Sequence, residues 1–168
     1  MRGATPSQTV GPYFSFGLRW LETTCLTTPD HPELRIIEGT VFDGDGVGIP
    51  DALIETFQAD AAGNFECDGD QGWTGFSRLL TDRTGGFVLT TVKPGAPPDD
   101  GEAAEAPHIA VSVFARGLLQ RVVTRIYFPD EEEANAADPA LQSVDPARRS
   151  TLVARAVDEN RLSFNVHL

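Results

Sequence analysis

The fold of this chain is decided by an apolar, strand-like stretch, His108-Ile-Ala-Val-Ser-Val-Phe-Ala-Arg116. Residues at i and i+2 of a strand point to the same face, so a His-x-His pair at its start could hold one metal ion with two imidazoles. Here the second position is Ala110, which has no ligand atom. The pattern indicates a metal-binding strand that has lost part of its site.

The rest of the chain carries similar strand-like segments separated by Gly- and Pro-containing turns. Further strands are predicted over Leu34–Phe42, Ala52–Gln58, Phe87–Val92, Arg121–Phe128 and Arg161–His167. Several short strands with this punctuation are typical of an antiparallel sandwich or barrel. The predicted fold class is mostly β, an antiparallel β-sandwich with short helices, in a single domain over residues 1–168.

Two short helices are predicted in the second half of the chain. The segment 130–135 places acidic residues in a first helical turn, where they favour the helix dipole. Asp145 and Pro146 are typical of an N-cap and a first helical position. By contrast, Asp43-Gly-Asp-Gly46 predicts a hairpin turn, because it lacks the length and the bidentate Glu of a calcium loop.

Composition narrows the range of partners. The 168 residues include 25 acidic and 13 basic side chains, a formal net charge of −12. Such acidity disfavours nucleic acids and anionic membrane surfaces, which attract basic proteins. Cys25 and Cys67 form no CxxC pair, and the N-terminus has no apolar signal segment, so we expect a cytoplasmic protein with two thiols.

The N-terminal stretch Thr5-Pro-Ser-Gln-Thr-Val-Gly-Pro-Tyr-Phe14 fits neither a helix nor a strand. Its prolines and glycine predict an extended arm, and the residues alone favour an arm that merely wraps the domain. Arg116 ends a core strand, where its guanidinium could form a bidentate hydrogen bond with a carboxylate. The residues alone favour an arginine that reaches water or pairs with a surface acid.

The histidines and tyrosines are too dispersed to form an obvious metal site. His108 by itself is typical of a hydrogen-bonded histidine at the core edge. His31 lies in a loop and His167 in an alternating strand, and no pair of the three has chelate spacing. Tyr127, in an apolar strand, is most simply a packing residue. A self-sufficient metal site that uses His108, His31 or His167 is therefore the least favoured hypothesis.

A set of motifs, in order along nearly the whole chain, resembles the intradiol ring-cleavage dioxygenases, and most closely the alpha-type subunits of members that cleave protocatechuate. These motifs are Thr5–Tyr13, Glu55–Phe65, Thr91-Val-Lys-Pro-Gly95, Ala106-Pro-His-Ile109, Phe114-Ala-Arg-Gly117 and Thr124-Arg-Ile-Tyr-Phe128. The resemblance implies a β-sandwich whose beta-type partner holds Fe(III) with two tyrosines and two histidines. His108 matches the first of these histidines, and Ala110 replaces the second.

The resemblance implies a division of labour between two chains. This chain would bind no iron, and no catalytic residue would lie in it. The obligate beta partner's Fe(III) would catalyse cleavage of protocatechuate by O2, in a complex of several alpha/beta pairs. Residues 1–32 would form an arm toward that partner. The substrate-pocket residues implied for this chain are Thr9, Gly11, Pro12, Tyr13 and Arg116.

Two departures from the family pattern and one alternative function stay open. The chain ends at Leu168, where alpha-type chains run on through a further tail, and the segment between Phe65 and Gly75 is short. These differences affect contacts of the C-terminus and of one interface loop. The alternative is a non-catalytic, transthyretin-like sandwich that binds a ligand, in which Tyr13 and Arg116 would face no substrate.

Overall fold

The computed structural model describes residues 3–11, 13–19, 27, 31–65, 73–97 and 104–168. Over these residues the chain forms two packed β-sheets with short helices, as the sequence predicts. The strands are β1 (Leu34–Phe42), β2 (Leu53–Phe57), β3 (Phe76–Leu80), β4 (Gly86–Val92), β5 (His108–Phe114), β6 (Val122–Tyr127), β7 (Arg155–Ala156), β8 (Arg161–Ser163) and β9 (Val166–His167).

The two sheets have different strand orders and directions. The first sheet is ordered β4-β1-β8-β7, with β9 also pairing β1, and the second is ordered β3-β2-β5-β6. The second sheet is antiparallel throughout, whereas β8 and β9 run parallel to β1. The predicted class, a mostly β sandwich with short helices, is confirmed, and the parallel pairings of β8 and β9 with β1 are the one departure from antiparallel order among the described strands.

The core lies between the inner faces of the two sheets. Alternation decides which side chains reach it: Ile109, Val111 and Val113 of β5 are buried, while the intervening residues lie on the outer face. Ile37 and Leu89 meet them from the first sheet in one apolar cluster. The outer face of the second sheet is thus free to carry polar residues.

Gln58 links the two sheets through hydrogen bonds in the core. It follows β2 and is 1% exposed. Its Nε2 donates to the Val92 carbonyl at 2.9 Å, and its Oε1 accepts from the Thr91 hydroxyl at 2.7 Å. A buried amide whose donors and acceptors are satisfied in this way holds β2 and β4 in one relative position.

The predicted strand over Arg161–His167 is two strands in the structure. At the break, a Cβ on Gly39 of β1 would lie 1.7 Å from the Phe164 carbonyl oxygen, so the backbones pass in contact there. Asn165 Oδ1 accepts from the Thr40 amide at 3.0 Å in place of a ladder hydrogen bond. The pattern of alternation survives this break, which is why the sequence predicts one strand.

In the part of the chain that the structure describes, four short helices accompany the sheets: α1 (Tyr13–Leu18), α2 (Glu132–Ala137), α3 (Pro139–Ser143) and α4 (Pro146–Arg149). The Asp145 side chain caps α4 by accepting from the Ala147 amide at 2.9 Å, as predicted. The arm is not extended to residue 14 as predicted, because α1 begins at Tyr13. Among the described residues, no helix is long and apolar enough to cross a membrane.

Candidate functional site: the N-terminal arm and the outer face of the second sheet

The N-terminal arm is attached to the turn that follows β5. Thr9 Oγ1 accepts a hydrogen bond from the Gly117 amide at 2.9 Å. Gly117 has a φ of 89°, a conformation that favours glycine. Two residues beyond Thr9, Gly11 also has a positive φ, 70°, and redirects the chain toward α1. The structure therefore brings Thr9 beside the residue that follows Arg116.

Tyr13 lies at the start of α1 with its side chain turned to solvent. The residue is 81% exposed, and its described ring contact is with Phe16, at 6.4 Å between centroids. No described contact joins Tyr13 to Arg116. Pro12 lies outside the described residues, as do Cys25 and Cys67. The substrate-pocket role of all five arm and turn residues stays a prediction.

Arg116 forms an ion pair at the end of β5. Its Nε lies 2.5 Å from Asp51 Oδ2, where the arginine side chain is 53% exposed and the aspartate side chain 19% exposed. This is the surface-acid pairing that the residues alone favour. The pairing limits the positions that the guanidinium can take. Arg116 therefore presents a positive charge in a restricted position beside the attached arm.

A polar cluster lies on the outer face of the second sheet. Tyr127 is fully buried, and its hydroxyl donates to Asp138 Oδ1 at 2.9 Å. The same carboxylate, 0% exposed, accepts from the Ala106 and Leu141 amides at 3.0 and 2.7 Å. Tyr127 is thus more than the packing residue that the sequence predicts: it joins β6 to the N-terminus of α3.

Arg125 and Glu105 complete this cluster. Arg125 NH2 lies 2.9 Å from Glu105 Oε1, while NH1 lies 3.4 Å from the Tyr127 hydroxyl and 3.9 Å from Asp138 Oδ2. Burial alone would lower the pKa of Arg125. Its hydrogen bonds and electrostatic interactions with Glu105 and Tyr127 together raise the pKa by more than burial lowers it, so the net shift is upward. Arg125 therefore keeps its positive charge between the carboxylates of Glu105 and Asp138.

His108 packs against this cluster as a neutral imidazole. Its Nδ1 lies 2.9 Å from the Ala106 carbonyl oxygen, and since a carbonyl only accepts, Nδ1 carries the hydrogen. Burial is the main cause that lowers the pKa of His108, and the Arg125 charge lowers it further. Burial likewise raises the pKa of Tyr127 to about 12. The prediction of a hydrogen-bonded histidine at the core edge is confirmed.

Comparison with known proteins identifies the class to which this sandwich belongs. A family model described as "Dioxygenase" matches residues 10–167. The solved dioxygenase domain of a carbohydrate-binding fusion protein from Streptomyces sp. SirexAA-E has a TM-score of 0.65 at 25% identity, over 99% of this chain and 98% of that domain. The fold is therefore that of a dioxygenase β-sandwich.

Sequence relatives place the chain more narrowly. The protocatechuate 3,4-dioxygenase alpha chain of Burkholderia cepacia is 46% identical over 167 residues, which cover 90% of this chain and 83% of the relative. The beta chain from the same organism is 33% identical over 132 residues, or 73% of this chain and 56% of the relative. This chain belongs to the intradiol ring-cleavage dioxygenase family, which uses non-haem Fe(III).

The described residues of this chain do not fit that iron. No group of three or more His, Cys, Asp or Glu side chains that could hold a metal ion occurs in the described part of the chain. On β5, Ala110 supplies no donor atom, and its neighbour across the strands is Arg125, a cation. The Tyr127 hydroxyl is already engaged by Asp138. No chemical step is therefore assigned to a metal in this chain.

Sequence reasoning missed three members of the outer cluster: Asp138, Glu105 and Arg125. One signal was available for Asp138, because Asp138-Pro139 repeats the cap pattern of Asp145-Pro146, and Asp138 does cap α3. Arg121 and Arg125 lie four apart in the predicted strand Arg121–Phe128, and this spacing by itself predicts that they share a face that is exposed or at an interface. Arg121 is exposed, whereas Arg125 is half-buried among Glu105, Tyr127 and Asp138.

Proposed function

We propose that this chain is the iron-free alpha subunit of a protocatechuate 3,4-dioxygenase. It would help to form the active site in which a beta-type partner's Fe(III) catalyses cleavage of protocatechuate by O2 to 3-carboxy-cis,cis-muconate. The pair would recur in a larger cytoplasmic complex. The observation that carries the proposal is the 46% identity to an alpha chain over 90% of this chain, against 33% to the beta chain of the same organism.

The donor set of the outer face supports the iron-free part of this proposal. The beta partner's pattern needs two histidines in a His-x-His strand, and this chain has His108 and Ala110 there. A cationic Arg125 faces the alanine across the strands. In the complex, Fe(III) would be supplied by the partner, where it would act as a Lewis acid on the two adjacent hydroxyls of the substrate.

The arm and the turn after β5 support the second part, a contribution to the partner's pocket. Thr9 holds the arm at Gly117, beside Arg116. The highly exposed Tyr13 has a hydroxyl that can donate to or accept from a ligand. Arg116 adds a held positive charge, which favours an anionic carboxylate in a site that excludes water. The substrate is an aromatic carboxylate, so these groups suit its charged end.

Co-expression of this chain with a beta-type subunit, its proposed partner, tests this function. The expected result is a coloured, iron-containing complex that consumes O2 when protocatechuate is added. The full chain expressed alone should contain no iron and show no O2 uptake. The beta-type subunit expressed alone is the matched control, since it separates iron binding from formation of the complete pocket.

Two results would contradict the proposal. Iron and turnover in this chain alone would show that it is a complete enzyme. A failure of the two chains to associate, measured by size-exclusion chromatography of the co-expressed pair, would leave the non-catalytic binding module as the better reading.

A further inference from the structure

Two facing positions on the outer face of the second sheet set it apart from a metal site. Ala110 lacks a ligand atom, and Arg125 opposite it adds a positive charge. In the antiparallel ladder of β5 and β6, His108 lies opposite Tyr127, and Ala110 lies opposite Arg125. Directly opposed residues on one face of a sheet have Cβ atoms about 4.5–5.5 Å apart. Arg125 therefore stands next to the place that a second imidazole, at position 110, would occupy.

The guanidinium of Arg125 has the surroundings of a bound cation. Oxygen atoms of three side chains lie within 3.9 Å of its nitrogens: Glu105 at 2.9 Å, Tyr127 at 3.4 Å and Asp138 at 3.9 Å. Asp138 is fully buried, and a buried carboxylate needs a nearby positive charge or several hydrogen bonds. It has both, and Arg125 supplies the charge.

His108 has the orientation of a metal ligand. Its Nδ1–H donates to the Ala106 carbonyl, the arrangement that commonly orients a ligating imidazole. Its Nε2, left with a lone pair, lies 3.8 Å from Oε2 of Glu105, the carboxylate that pairs with Arg125. The cluster therefore has an imidazole, a phenol and two carboxylates arranged around a guanidinium.

We propose that Arg125 is a built-in cation that takes the place of a metal ion on this face and closes this chain's own copy of the site to metal. The role is separate from the proposed function, because it concerns one chain and requires no partner. A metal ion held by His108 and a ligand at position 110 would meet the like charge of Arg125, the residue directly across the strands from that position. In a protein environment that repulsion weakens binding by about tenfold or more.

The test restores the missing histidine with and without the arginine, in the full 168-residue chain, with Co²⁺ as the probe. Ala110→His alone keeps Arg125 in place, and we expect weak or no Co²⁺ binding. Ala110→His with Arg125→Met removes the charge at similar side-chain length. We expect one Co²⁺ per chain, bound about tenfold or more tightly than by the single variant, measured by equilibrium dialysis and visible absorption.

Two matched controls separate this local charge from net charge and from side-chain volume. Ala110→His with Arg78→Met removes an arginine from the same face, where Arg78 pairs with Glu55 at 2.5 Å, and should bind Co²⁺ no better than Ala110→His. Ala110→His with Arg125→Lys keeps a cation at position 125 and should also exclude Co²⁺. Equal affinity for Co²⁺ in the Arg125→Met, Arg125→Lys and Arg78→Met backgrounds would overturn the proposal.

If the double variant with Arg125→Met does not fold, thermal unfolding of the single substitutions decides the question. A built-in cation predicts that Arg125→Lys keeps a higher unfolding midpoint than Arg125→Met, because Asp138 and Glu105 retain a counter-charge. Equal loss in the two variants would show that Arg125 acts only by packing, and the proposal would be wrong.

Discussion

At the scale of single residues, the outer cluster shows how burial and a neighbouring charge keep the imidazole of His108 neutral. Asp138 receives three hydrogen bonds and stays close to Arg125. His108 stays neutral because burial and the Arg125 charge both oppose its protonation. The groups that face His108 are Glu105, Arg125 and Asp138, so its neutral state belongs to the cluster as a whole.

We expect the stability of the chain to fall in mild acid partly because of His108. Its pKa in the fold lies below its ordinary value of 6.5, so the unfolded chain binds more protons between the two values. The stabilising contribution is therefore complete above about pH 6.5 and is lost as the pH falls through the lowered value. Unfolding midpoints measured between pH 7 and 5 should decline less steeply in His108→Gln than in the unsubstituted chain.

His167→Gln is the control for this pH dependence. His167 is exposed and stacks on Phe42 with 5.0 Å between ring centroids. The slope in His167→Gln should match that of the unsubstituted chain. If His108→Gln also keeps the full slope, the buried imidazole is not its source.

At the scale of secondary-structure elements, the passage of residues 161–167 along β1 organises the first sheet. β8 pairs β1 over Ile36–Glu38 and β9 pairs it over Val41–Phe42. Between these pairings the Phe164 side chain turns into the core, where it is 5% exposed. Gly39 permits this crossing because it has no Cβ to meet the Phe164 backbone.

Gly39→Ala should therefore destabilise the fold. The added Cβ would lie 1.7 Å from the Phe164 carbonyl oxygen and 2.7 Å from the Phe87 ring, so backbone and core must both shift. We expect a loss of about 1–3 kcal/mol, the usual range for overpacking. Urea unfolding measures it. Gly44→Ala is the matched control, since its nearest atom is 4.0 Å away, and an equal loss there would rule out the proposed contact.

At the scale of the whole molecule, the N-terminal arm is joined to the sandwich at the turn after β5. Thr9 meets Gly117 there, and residues of the arm and of that turn line a shallow depression of about 170 Å³. The proposed function needs the arm to be held at this end, because its position relative to Arg116 would set how Tyr13 meets a partner.

Thr9→Val should loosen this attachment while leaving the sandwich intact. The substitution removes the oxygen that accepts from the Gly117 amide. A typical hydrogen bond contributes about 0.5–1.5 kcal/mol, so exchange of the Gly117 amide hydrogen should accelerate by roughly two- to tenfold. Hydrogen exchange followed by NMR measures it. Thr5→Val, which changes an exposed arm residue in the same way, should leave the exchange rate of the Gly117 amide unaltered. If Thr9→Val also leaves this rate unaltered, the arm is not held through Thr9.

Local pattern was sufficient to predict most of the strands and one helix cap. β1 and β5 begin where the sequence predicts, and Asp145 caps α4. β3 was missed because Ser77 is buried and Arg78 faces outward, so its alternation becomes clear only when it pairs with β2. The cap of α3 was missed although Asp138-Pro139 carries the same signal as Asp145-Pro146.

By itself the sequence determined that this is a β-sandwich chain with a histidine at position 108 and no second ligand at position 110. Only the tertiary structure decided that Arg125 faces Ala110, that Asp138 is buried beneath Tyr127, and that Thr9 meets Gly117. The physical reason is the distance along the chain over which each interaction acts. Periodicity and capping act over a few neighbouring residues, whereas strand register and packing bring together side chains whose distance along the chain carries no signal.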